Sequence, residues 1–386
     1  MLTGIKIKLN PTEEQEILFW KSAGVARWSY NYFLAESNNY YNENKKSLKE
    51  SDVRKHINNV LKKTTHTWLK EVGSNVMKQG VKDANLARDR WFKGLGNKPK
   101  FKSRRKNKIS FYVNYENLKK VKGGFRGEKI GFVKTYGALP KLKVGEKYSN
   151  PRISFDGRSW FLSVGYDRKF EPVKLTGKSL GIDVGIKKLA VCSEGKVKKN
   201  INKTKRVKFL KKKLKREQRK LSRKIENNIS SYTKTRKPIY KKPLKDIKNI
   251  QKQNNIIRNL YKKLNDIRTN HLHQTTNAIV KTKPSRIVME TLNIKNMMKN
   301  KHLAKAIAEQ SLYEFKRQIK YKCKKYGIEF VEADKWYPSS KKCSCCGNIK
   351  KDLKLKDRIY KCSCGLKIDR DLNASINLAN YPIQNI

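Results

Sequence analysis

The sequence predicts an α/β protein of several domains, and three observations support this prediction. The chain has 386 residues, which is enough for two or three domains of ordinary size. Its pattern changes from helical spacing to strand-like alternation, and then to short buried strands separated by long helices. Five of its seven cysteines lie between Cys343 and Cys364, which indicates a small metal-binding segment near the end of the chain.

The charge of the chain indicates a polyanionic partner. The sequence contains 93 Lys and Arg against 32 Asp and Glu, a formal net charge of +61. A free protein with this charge repels itself strongly, so we expect a nucleic acid to be its regular partner. A membrane surface is the rival polyanion, but the sequence shows no run of ~18 apolar residues and no signal-peptide pattern. We therefore expect an intracellular protein with no membrane partner.

The first part of the chain is typical of a strand followed by helices. Leu2–Leu9 alternates apolar and polar residues, as a half-buried strand does. Asn10–Glu13 then supplies an N-cap, a proline at the first helical position and an acid in the first turn. Helical spacing continues to about Trp91 with a break near 45–51. A stripe of aromatic residues follows the helical period, so we expect these to be core residues rather than base-stacking platforms: Trp20, Trp28, Tyr30 and Tyr32.

Strand-like alternation follows from about residue 94 to 177. Its clearest part lies on either side of Asp156 and Gly157, which predict a tight hairpin turn. We expect residues 1–10 and 94–177 to form one strand-rich domain, interrupted by a helical domain over 11–93. A basic segment precedes these strands, and either it contacts a nucleic-acid backbone and stacks on bases or it is a solvated loop. Its candidate residues are Lys98, Lys100, Phe101, Lys102, Arg104 and Arg105.

The chain from about residue 178 alternates buried strands with helices. Leu180–Cys192 predicts two strands around a glycine turn, and Arg286–Glu290 predicts a strand that ends on an acid. A basic helical hairpin over about 205–280 separates them, in which an apolar stripe with Ile256 on the second helix packs the two helices together. Its cationic faces favour nucleic-acid contact. The candidate residues are Lys211, Lys212, Lys215, Arg216, Arg219 and Lys220.

Three further expectations concern this second half of the chain. The segment 227–243 is polar, and we expect it to be mobile. Leu303–Tyr326 predicts a single amphipathic helix that ends at Gly327. A closing helix begins near Asp369, and its spacing predicts three residues that face inward: Leu372, Ile376 and Ala379.

Two short cysteine knuckles predict a zinc site. The first is Cys343-Ser-Cys-Cys346-Gly, and the second, Cys362-Ser-Cys364-Gly, follows after fifteen residues. Four thiolates form a closed tetrahedral site that suits one structural Zn²⁺ ion. We expect the ligands to be Cys343, Cys346, Cys362 and Cys364, with Cys345 as a spare. The second knuckle is C-x-C rather than C-x-x-C and is therefore the tighter of the two. The alternative is a chance cluster of reduced thiols.

Acidic residues on or beside buried elements predict a second metal site. Asp183 lies within a buried strand, Glu290 ends another, and Asp369 and Asp371 lie at the start of the closing helix. Buried charges must be paired or bound to metal, and converging carboxylates suit a hard cation such as Mg²⁺. Two such ions can activate water and stabilise the leaving oxygen of a phosphodiester. The alternative for the helix acids is an ordinary interaction with the helix dipole.

Four segments, in order, resemble the split RuvC motifs of TnpB, a transposon-encoded family ancestral to type V CRISPR effectors. They are GIDVGIKKLAV, IVMETLNIKNMMKN, PSSKKCSCCG and CGLKIDRDLNASINLAN. The resemblance implies an RNase H-like (RuvC) nuclease domain over 178–340 and 367–386, with a helical insertion and a zinc finger over 341–366. It implies a wedge β-barrel for the strand-rich domain and a recognition role for 11–93. It also implies Asp183, Glu290 and Asp371 as the catalytic, Mg²⁺-binding acids, with Asp369 as the fallback for the third.

The resemblance implies an RNA-guided DNA endonuclease. Such a protein carries a guide RNA from the transposon end and cuts double-stranded DNA beside a short target-adjacent motif, in the cytoplasm of a bacterial or archaeal cell and on its nucleoid. The alternatives are a nuclease-inactive RNA-guided regulator, a transposase or accessory transposition protein, and a type V CRISPR effector. The intact acids count against the regulator. Dependence on RNA separates the guided nuclease from a transposase.

Overall fold

A computed structural model describes residues 1–104, 107–171, 173–244, 246–354 and 357–382, and for Lys295 it describes the backbone alone. The chain divides into two compact units, Met1–Lys169 and Phe170–Ile386. Among the described residues, no helix combines the length and the apolar character that crossing a membrane requires.

The first unit begins with strand β1 (Leu2–Asn10) and helix α1 (Glu13–Asn44). The predicted N-cap was wrong by two residues, because Thr12 caps the helix. Its hydroxyl accepts a hydrogen bond from the Gln15 amide (3.3 Å), and the Gln15 side chain accepts one from the Thr12 amide (3.1 Å), which forms a capping box. After the predicted break come α2 (Glu50–His56), a π-helical turn, a 3₁₀ turn and α3 (Ser74–Phe92).

The strands of the first unit form one seven-stranded antiparallel sheet. After β1 they are β2 (Ile109–Tyr112), β3 (Lys119–Val121), β4 (Gly124–Gly127), β5 (Gly131–Thr135), β6 (Ser149–Phe155) and β7 (Trp160–Asp167), in the order β2-β6-β7-β1-β5-β4-β3. No ladder joins β2 to β3 in the described part of the chain. The predicted hairpin turn is confirmed, since Gly157 has φ +96° and the Asp156 carboxylate accepts from the Ser159 amide (2.9 Å).

A five-stranded mixed sheet organises the second unit. Its strands are β8 (Thr176–Val184), β9 (Ala190–Cys192), β10 (Val197–Lys198), β13 (Pro284–Glu290) and β14 (Glu329–Ala333), in the order β10-β9-β8-β13-β14. The two strand pairs that include β9 are antiparallel, and β13 runs parallel to both of its neighbours. Two small hairpins complete the strands: β11 (Ile229–Tyr232) with β12 (Pro238–Tyr240), and β15 (Ile359–Lys361) with β16 (Lys367–Asp369).

Helices cover both faces of this sheet. The helices of the second unit are α4 (Lys205–Glu226), α5 (Lys248–Val280), α6 (Ile294–Met297), α7 (Ala304–Gln310), α8 (Leu312–Tyr326) and α9 (Arg370–Ala379). Leu180 and Ile182 share a core with residues of α5 and α8, whereas Val288 shares one with Leu378 of α9. The alternation of side chains along each strand therefore buries one set against α5 and α8 and the other against α9.

Segment 227–243, which we expected to be mobile, contains the β11–β12 hairpin. Three sequence predictions for this unit were wrong. In the α4–α5 hairpin Ile257 is buried, and Ile256 is 43% exposed. The helix predicted over 303–326 is two helices, because Ser311 between them adopts a left-handed conformation with φ 55°. On α9 the buried face holds Ala374 and Leu378 with polar neighbours, whereas the three predicted residues are half-buried.

Candidate active site and zinc site

Two of the predicted acids lie side by side at the carboxyl ends of neighbouring parallel strands. Asp183 is the penultimate residue of β8, and Glu290 is the last residue of β13. The register pairs Met289 with Ile182, so the next residue along each strand is one of the two acids. Adjacent parallel strands end at the same edge of a sheet, so the topology places both carboxylates at that edge.

Helix α9 brings the third predicted acid to the same place. The helix crosses β8 directly over Gly181, where a Cβ atom would lie 1.9 Å from the Ser375 carbonyl oxygen and 2.4 Å from the Ala379 amide nitrogen. Only a residue without a side chain permits this approach. Asp371 lies in the first turn of this helix, so the close packing of helix on strand sets the distance between Asp371 and Asp183.

The three acids line one cleft of about 710 Å³, which we call the carboxylate cleft. Cationic side chains line it as well: Lys187, Lys188, Lys203, Arg358 and Arg370. Carboxylates at the centre can hold a divalent cation, and surrounding cations can neutralise the phosphates of a nucleic acid. The cleft therefore combines the two charges that a phosphodiester substrate and its metal ions require.

The electrostatics of the cleft disfavour the ionised form of Asp183. Burial, followed by the nearby carboxylates of Glu290 and Asp371, raises the pKa of Asp183 well above its ordinary value. Lys188 offsets part of this charge, since its Nζ atom lies 3.7 Å from an Asp371 oxygen. A cation bound between the acids would stabilise the ionised form of all three, as buried carboxylates require.

The structure separates the two acids of the closing helix by their contacts. Asp369 is the N-cap of α9, and its Oδ1 accepts hydrogen bonds from the amides of Asp371 (3.0 Å) and Leu372 (3.1 Å). Its Oδ2 accepts a hydrogen bond from Lys188 (3.0 Å). Burial opposes ionisation of Asp369, but these hydrogen bonds outweigh it and lower its pKa. Asp371 lines the carboxylate cleft, whereas Asp369 stabilises the helix end.

The carboxylate donor set fits Mg²⁺, although the three acids are not drawn tightly together. Ser339 donates a hydrogen bond to Glu290 (2.5 Å), and Lys188 holds Asp371. Within the described part of the chain, only the cysteine group has three or more ligand atoms within 4.8 Å of one another. Magnesium commonly binds through one or two carboxylates together with waters and substrate phosphates, so it does not require a closed cage of protein ligands.

The four predicted thiols form that closed group: Cys343, Cys346, Cys362 and Cys364. The sulfur atoms of Cys343 and Cys364 are 3.7 Å apart, and those of Cys346 and Cys362 are 3.5 Å apart. Four sulfurs around zinc at ~2.3 Å would be separated by ~3.8 Å, so the donor set and the spacing fit a Zn²⁺ ion. Cys345 is exposed and lies outside the group.

A glycine closes each cysteine knuckle. Gly347 and Gly365 follow the last cysteine of each knuckle with φ of +79° and +91°, a backbone conformation that side chains disfavour. Each glycine donates its amide hydrogen to the carbonyl of the first cysteine of its knuckle, at 3.0 and 3.1 Å. These tight turns let amide hydrogens reach the sulfurs, and the amide of Cys364 is the main cause that lowers the pKa of Cys362 to about 6.

Two buried asparagines of α9 connect the zinc segment to the carboxylate cleft. Asn373 donates to the carbonyl of Lys342 (2.7 Å) and accepts from the amide of Ser344 (3.0 Å). Asn377 donates to the carbonyls of Ser339 (2.8 Å) and Lys342 (2.6 Å). The segment that begins the first knuckle is thus fastened to the helix that carries Asp371, and its Ser339 side chain holds Glu290.

The predicted basic segment before β2 is partly engaged within the protein. Lys102 is half-buried: its Nζ lies 3.6 Å from the centre of the Tyr30 ring, and both backbone groups bond to Asn31 (2.7 and 2.9 Å). Lys98 lies over Trp91 and Arg104 over Trp20, at 5.4 and 5.3 Å. Lys100 is exposed, as is Phe101 with 59% exposure. Arg105 lies outside the described residues.

The predicted cations of α4 differ in availability. Lys211 is half-buried and forms an ion pair with Glu309, which also pairs with Arg268 of α5 (3.3 Å). Lys220 is exposed and lies 3.3 Å from the buried Glu217. The remaining candidates are exposed along the helix: Lys212, Lys215, Arg216 and Arg219.

Sequence reasoning missed three groups that hold the site in place. Lys188 lies close to the Asp183 strand in sequence, but only the fold brings its side chain to Asp369 and Asp371. Ser339 lies 49 residues from the Glu290 that it contacts. Asn373 and Asn377 are spaced by four residues on α9 beside a cysteine knuckle. That spacing was the one available signal for a polar helix face directed at the zinc segment.

Three family models match separate parts of the chain. Residues 161–301 match a family model of the OrfB proteins of IS605 elements, described as "Probable transposase". Residues 1–46 match the helix-turn-helix domain of the same OrfB proteins, and residues 313–378 match a Cas12f1-like TNB domain. These matches confirm the resemblance that the four motifs of the chain predicted.

Two curated relatives align over nearly the whole chain. A Streptomyces pristinaespiralis protein, named as a candidate RNA-guided DNA endonuclease, is 28% identical over 97% of this chain and 87% of its own length. InsQ of Escherichia coli K12 carries the same description and is 26% identical over 98% of this chain and 91% of its own. A solved structure of the mini-RNA-guided endonuclease CRISPR-Cas_phi3 covers 99% of this chain and 92% of its own, with 12% identity and a TM-score of 0.47.

Proposed function

We propose that this chain is an RNA-guided DNA endonuclease that hydrolyses phosphodiester bonds in the carboxylate cleft. The observation that carries the proposal is the convergence of Asp183, Glu290 and Asp371 from two strands and a helix into one cation-rimmed cleft. The matches to the OrfB family models support it, as do the whole-length relatives named for this activity. We further propose that Mg²⁺ is the catalytic metal and that Zn²⁺ at the four cysteines is structural.

The residues of the cleft would each act on the substrate or on its metal. Two magnesium ions bound to the acids would supply an activated water and stabilise the oxygen that leaves phosphorus. Asp183, Glu290 and Asp371 would hold these ions, and Ser339 would keep the Glu290 carboxylate oriented. The cationic side chains of the cleft would bind the phosphates that flank the bond to be cut. Lys188 would hold the Asp371 carboxylate in place until the metal and the substrate bind.

Domain roles follow from the same proposal. The strand-rich part (1–10 and 94–177) would be the wedge domain and 11–93 the recognition domain. Residues 178–340 and 367–386 would form the RuvC-like nuclease around the finger at 341–366. A guide RNA from the transposon end would select the DNA by base pairing, while the protein reads a short target-adjacent motif. The net charge of +61 supports a long nucleic-acid path, and we expect the protein to act on cytoplasmic and nucleoid DNA.

A cleavage assay tests the proposal. The protein is co-expressed with the RNA that flanks its gene and mixed with plasmids carrying a matched target beside a randomised flank, with and without Mg²⁺. We expect cutting that needs RNA and Mg²⁺, enriches one flank, and disappears in Asp183→Asn and Glu290→Gln. Glu194→Gln is the matched control, because Glu194 is an exposed acid of the same unit paired with Lys196 (3.0 Å), and it should cut normally.

The outcomes separate the candidate functions. RNA-dependent binding without cutting would favour a regulator, and processing of transposon-end DNA without any RNA would favour a transposase. Cutting that persists in both Asp183→Asn and Glu290→Gln would place the chemistry outside the carboxylate cleft and refute the assignment of the acids.

A further inference from the structure

An exposed tryptophan, Trp336, lies three residues before Ser339, whose hydroxyl contacts Glu290. Trp336 is 79% exposed, the highest fraction of any aromatic side chain in the described part of the chain. Exposing an indole to water forfeits the ~2 to 3 kcal/mol that burial of a large apolar side chain contributes. A side chain of this size in water, on a chain otherwise rich in charge, is typical of a contact surface.

The position of Trp336 is set by two contacts with the Glu290 strand. The segment 334–338, which we call the rim loop, follows β14, whose last residue Ala333 pairs with Glu290. The loop leads to Ser339, whose hydroxyl donates to the Glu290 carboxylate, and Ser340 lines the cleft. Trp336 is therefore the middle of a loop that leaves from the backbone of a catalytic acid and returns to its side chain.

The rim loop is held in place on both sides of Trp336. The Asp334 carboxylate accepts a hydrogen bond from the Trp336 amide (2.7 Å), and the Asp334 amide donates to the Tyr381 hydroxyl (3.1 Å). The Tyr337 ring packs edge-on against Tyr381 with centroids 4.8 Å apart, and its hydroxyl donates to the Asn377 carbonyl (3.1 Å). The neighbours are anchored and the indole projects from them, so its exposure is a property of the folded loop.

The chemistry around the indole favours a nucleobase as its ligand. Lys335 places its Nζ 4.6 Å from the centre of the Trp336 ring, which pairs an aromatic surface with a phosphate-binding cation. Proteins that bind single-stranded nucleic acid combine these two features, because any base can stack on an aromatic ring while cations bind the phosphates of the nucleic-acid backbone. A duplex hides the faces of its bases, so a stacking residue at the cleft requires an unpaired strand.

We propose that Trp336 is a stacking platform for an unpaired base of the DNA strand that enters the carboxylate cleft. The inference rests on the proposed nuclease function and adds a substrate-positioning residue to it. The rim loop lies between Ala333 and Ser339, which both contact Glu290, so a base on Trp336 would fix the distance from that nucleotide to the phosphate that is cut.

The test uses the whole ribonucleoprotein with Asp183→Asn, so that binding is measured without cutting. Single-stranded DNA carrying one 2-aminopurine at successive positions reports stacking as loss of its fluorescence. We expect quenching at one position, and a single-strand affinity that falls ~5- to ~150-fold in Trp336→Ala, the range measured for loss of one stacked base. Trp336→Phe should restore most of the affinity and Trp336→Leu should not, because a flat ring rather than apolar bulk is required.

A second readout separates stacking from damage to the site. In the cleavage-competent protein we expect Trp336→Ala to raise KM for DNA with little change in kcat, and to leave the Mg²⁺ concentration for half-maximal rate unchanged. A shift in that Mg²⁺ concentration would mean that the loop supports Glu290 rather than the substrate, which overturns the proposal. Loss of RNA retention, or equal affinity of Trp336→Ala and wild type for single-stranded DNA, would overturn it too. If wild type does not cut at all, the nuclease function fails, whereas the 2-aminopurine result stands by itself.

Discussion

Replacing Gly181 with alanine should disable the active site without touching any acid. The new Cβ would lie 1.9 Å from the Ser375 carbonyl oxygen, and real Cβ atoms keep at least 3.0 Å from such atoms. Helix α9 must therefore retreat from β8 by about 1.1 Å. The obstructing atoms belong to the helix backbone, so no rotation of a side chain can relieve the contact.

Two consequences can be given magnitudes. Overpacking of this kind costs ~1 to 3 kcal/mol of folding stability. A misplacement of ~1 Å in a catalytic group can cost ~100-fold in rate, and Asp371 moves with the helix. We therefore expect Gly181→Ala to remain folded with a lowered Tm and to cut target DNA about 100-fold more slowly than wild type.

Gly177 is the matched control for this substitution. It lies on the same strand β8, and a Cβ there would have nothing within 4 Å. Gly177→Ala should therefore keep the wild-type Tm and cleavage rate. Thermal unfolding followed by single-turnover cleavage at saturating Mg²⁺ compares the two variants. If Gly181→Ala cuts as fast as Gly177→Ala, then α9 does not rest on β8 as described and the placement of Asp371 by Gly181 is refuted.

Three further predictions concern the metal sites and a buried lysine. Asp371→Asn should slow cleavage more than ~100-fold, because a metal ligand contributes several kcal/mol of charge stabilisation. Asp369→Ala should mainly lower the free energy of unfolding, by about 1 kcal/mol, because it removes the N-cap. A larger loss of cleavage rate in Asp369→Ala than in Asp371→Asn would reverse their roles. Cys364→Ser should lower the Tm and reduce the bound zinc, measured by mass spectrometry, from one ion to none per chain. Cys345→Ser, which lies outside the group, should change neither the Tm nor the zinc content. An unchanged zinc content in Cys364→Ser would contradict the ligand set. Burial lowers the pKa of Lys322 to about 8, below the ~10.4 of a lysine in an unfolded chain. Between these two pH values the folded state therefore binds fewer protons than the unfolded state. The free energy of unfolding should rise with pH across this range. Denaturant unfolding at pH 7.5 and 9.5 should show this rise in wild type and a smaller one in Lys322→Met, and equal slopes would refute it.

Local patterns predicted most of the elements, since each depends on residues close in sequence. The alternation in Leu2–Leu9, the Asp156–Gly157 turn and the helical stop at Gly327 all appear as predicted. The errors have local causes that periodicity does not register. The apolar stripe continues past Ser311, but Ser311 ends the helix by adopting a left-handed conformation. The polar segment 227–243 forms the β11–β12 hairpin through backbone hydrogen bonds.

For the candidate site, the sequence by itself determined the chemistry and the tertiary structure decided the geometry. The cysteine spacing predicted the thiol group that the structure brings together, because each knuckle is a local turn. Asp183, Glu290 and Asp371 could be proposed because acids on buried elements need compensation. Their meeting depends on the parallel pairing of β8 with β13 and on the contact of α9 with Gly181.

The partners in the contacts that hold the site together could not be predicted from the sequence. Ser339 contacts Glu290, 49 residues away, and Asn377, 38 residues away. Asn377 also contacts Lys342. Such pairs are set by the packing of whole elements, because the distance between residues far apart in sequence is decided by the fold and not by their spacing. The same holds for Trp336, which its local pattern does not distinguish from the other aromatic residues. Only the fold places it in a loop between two residues that contact Glu290.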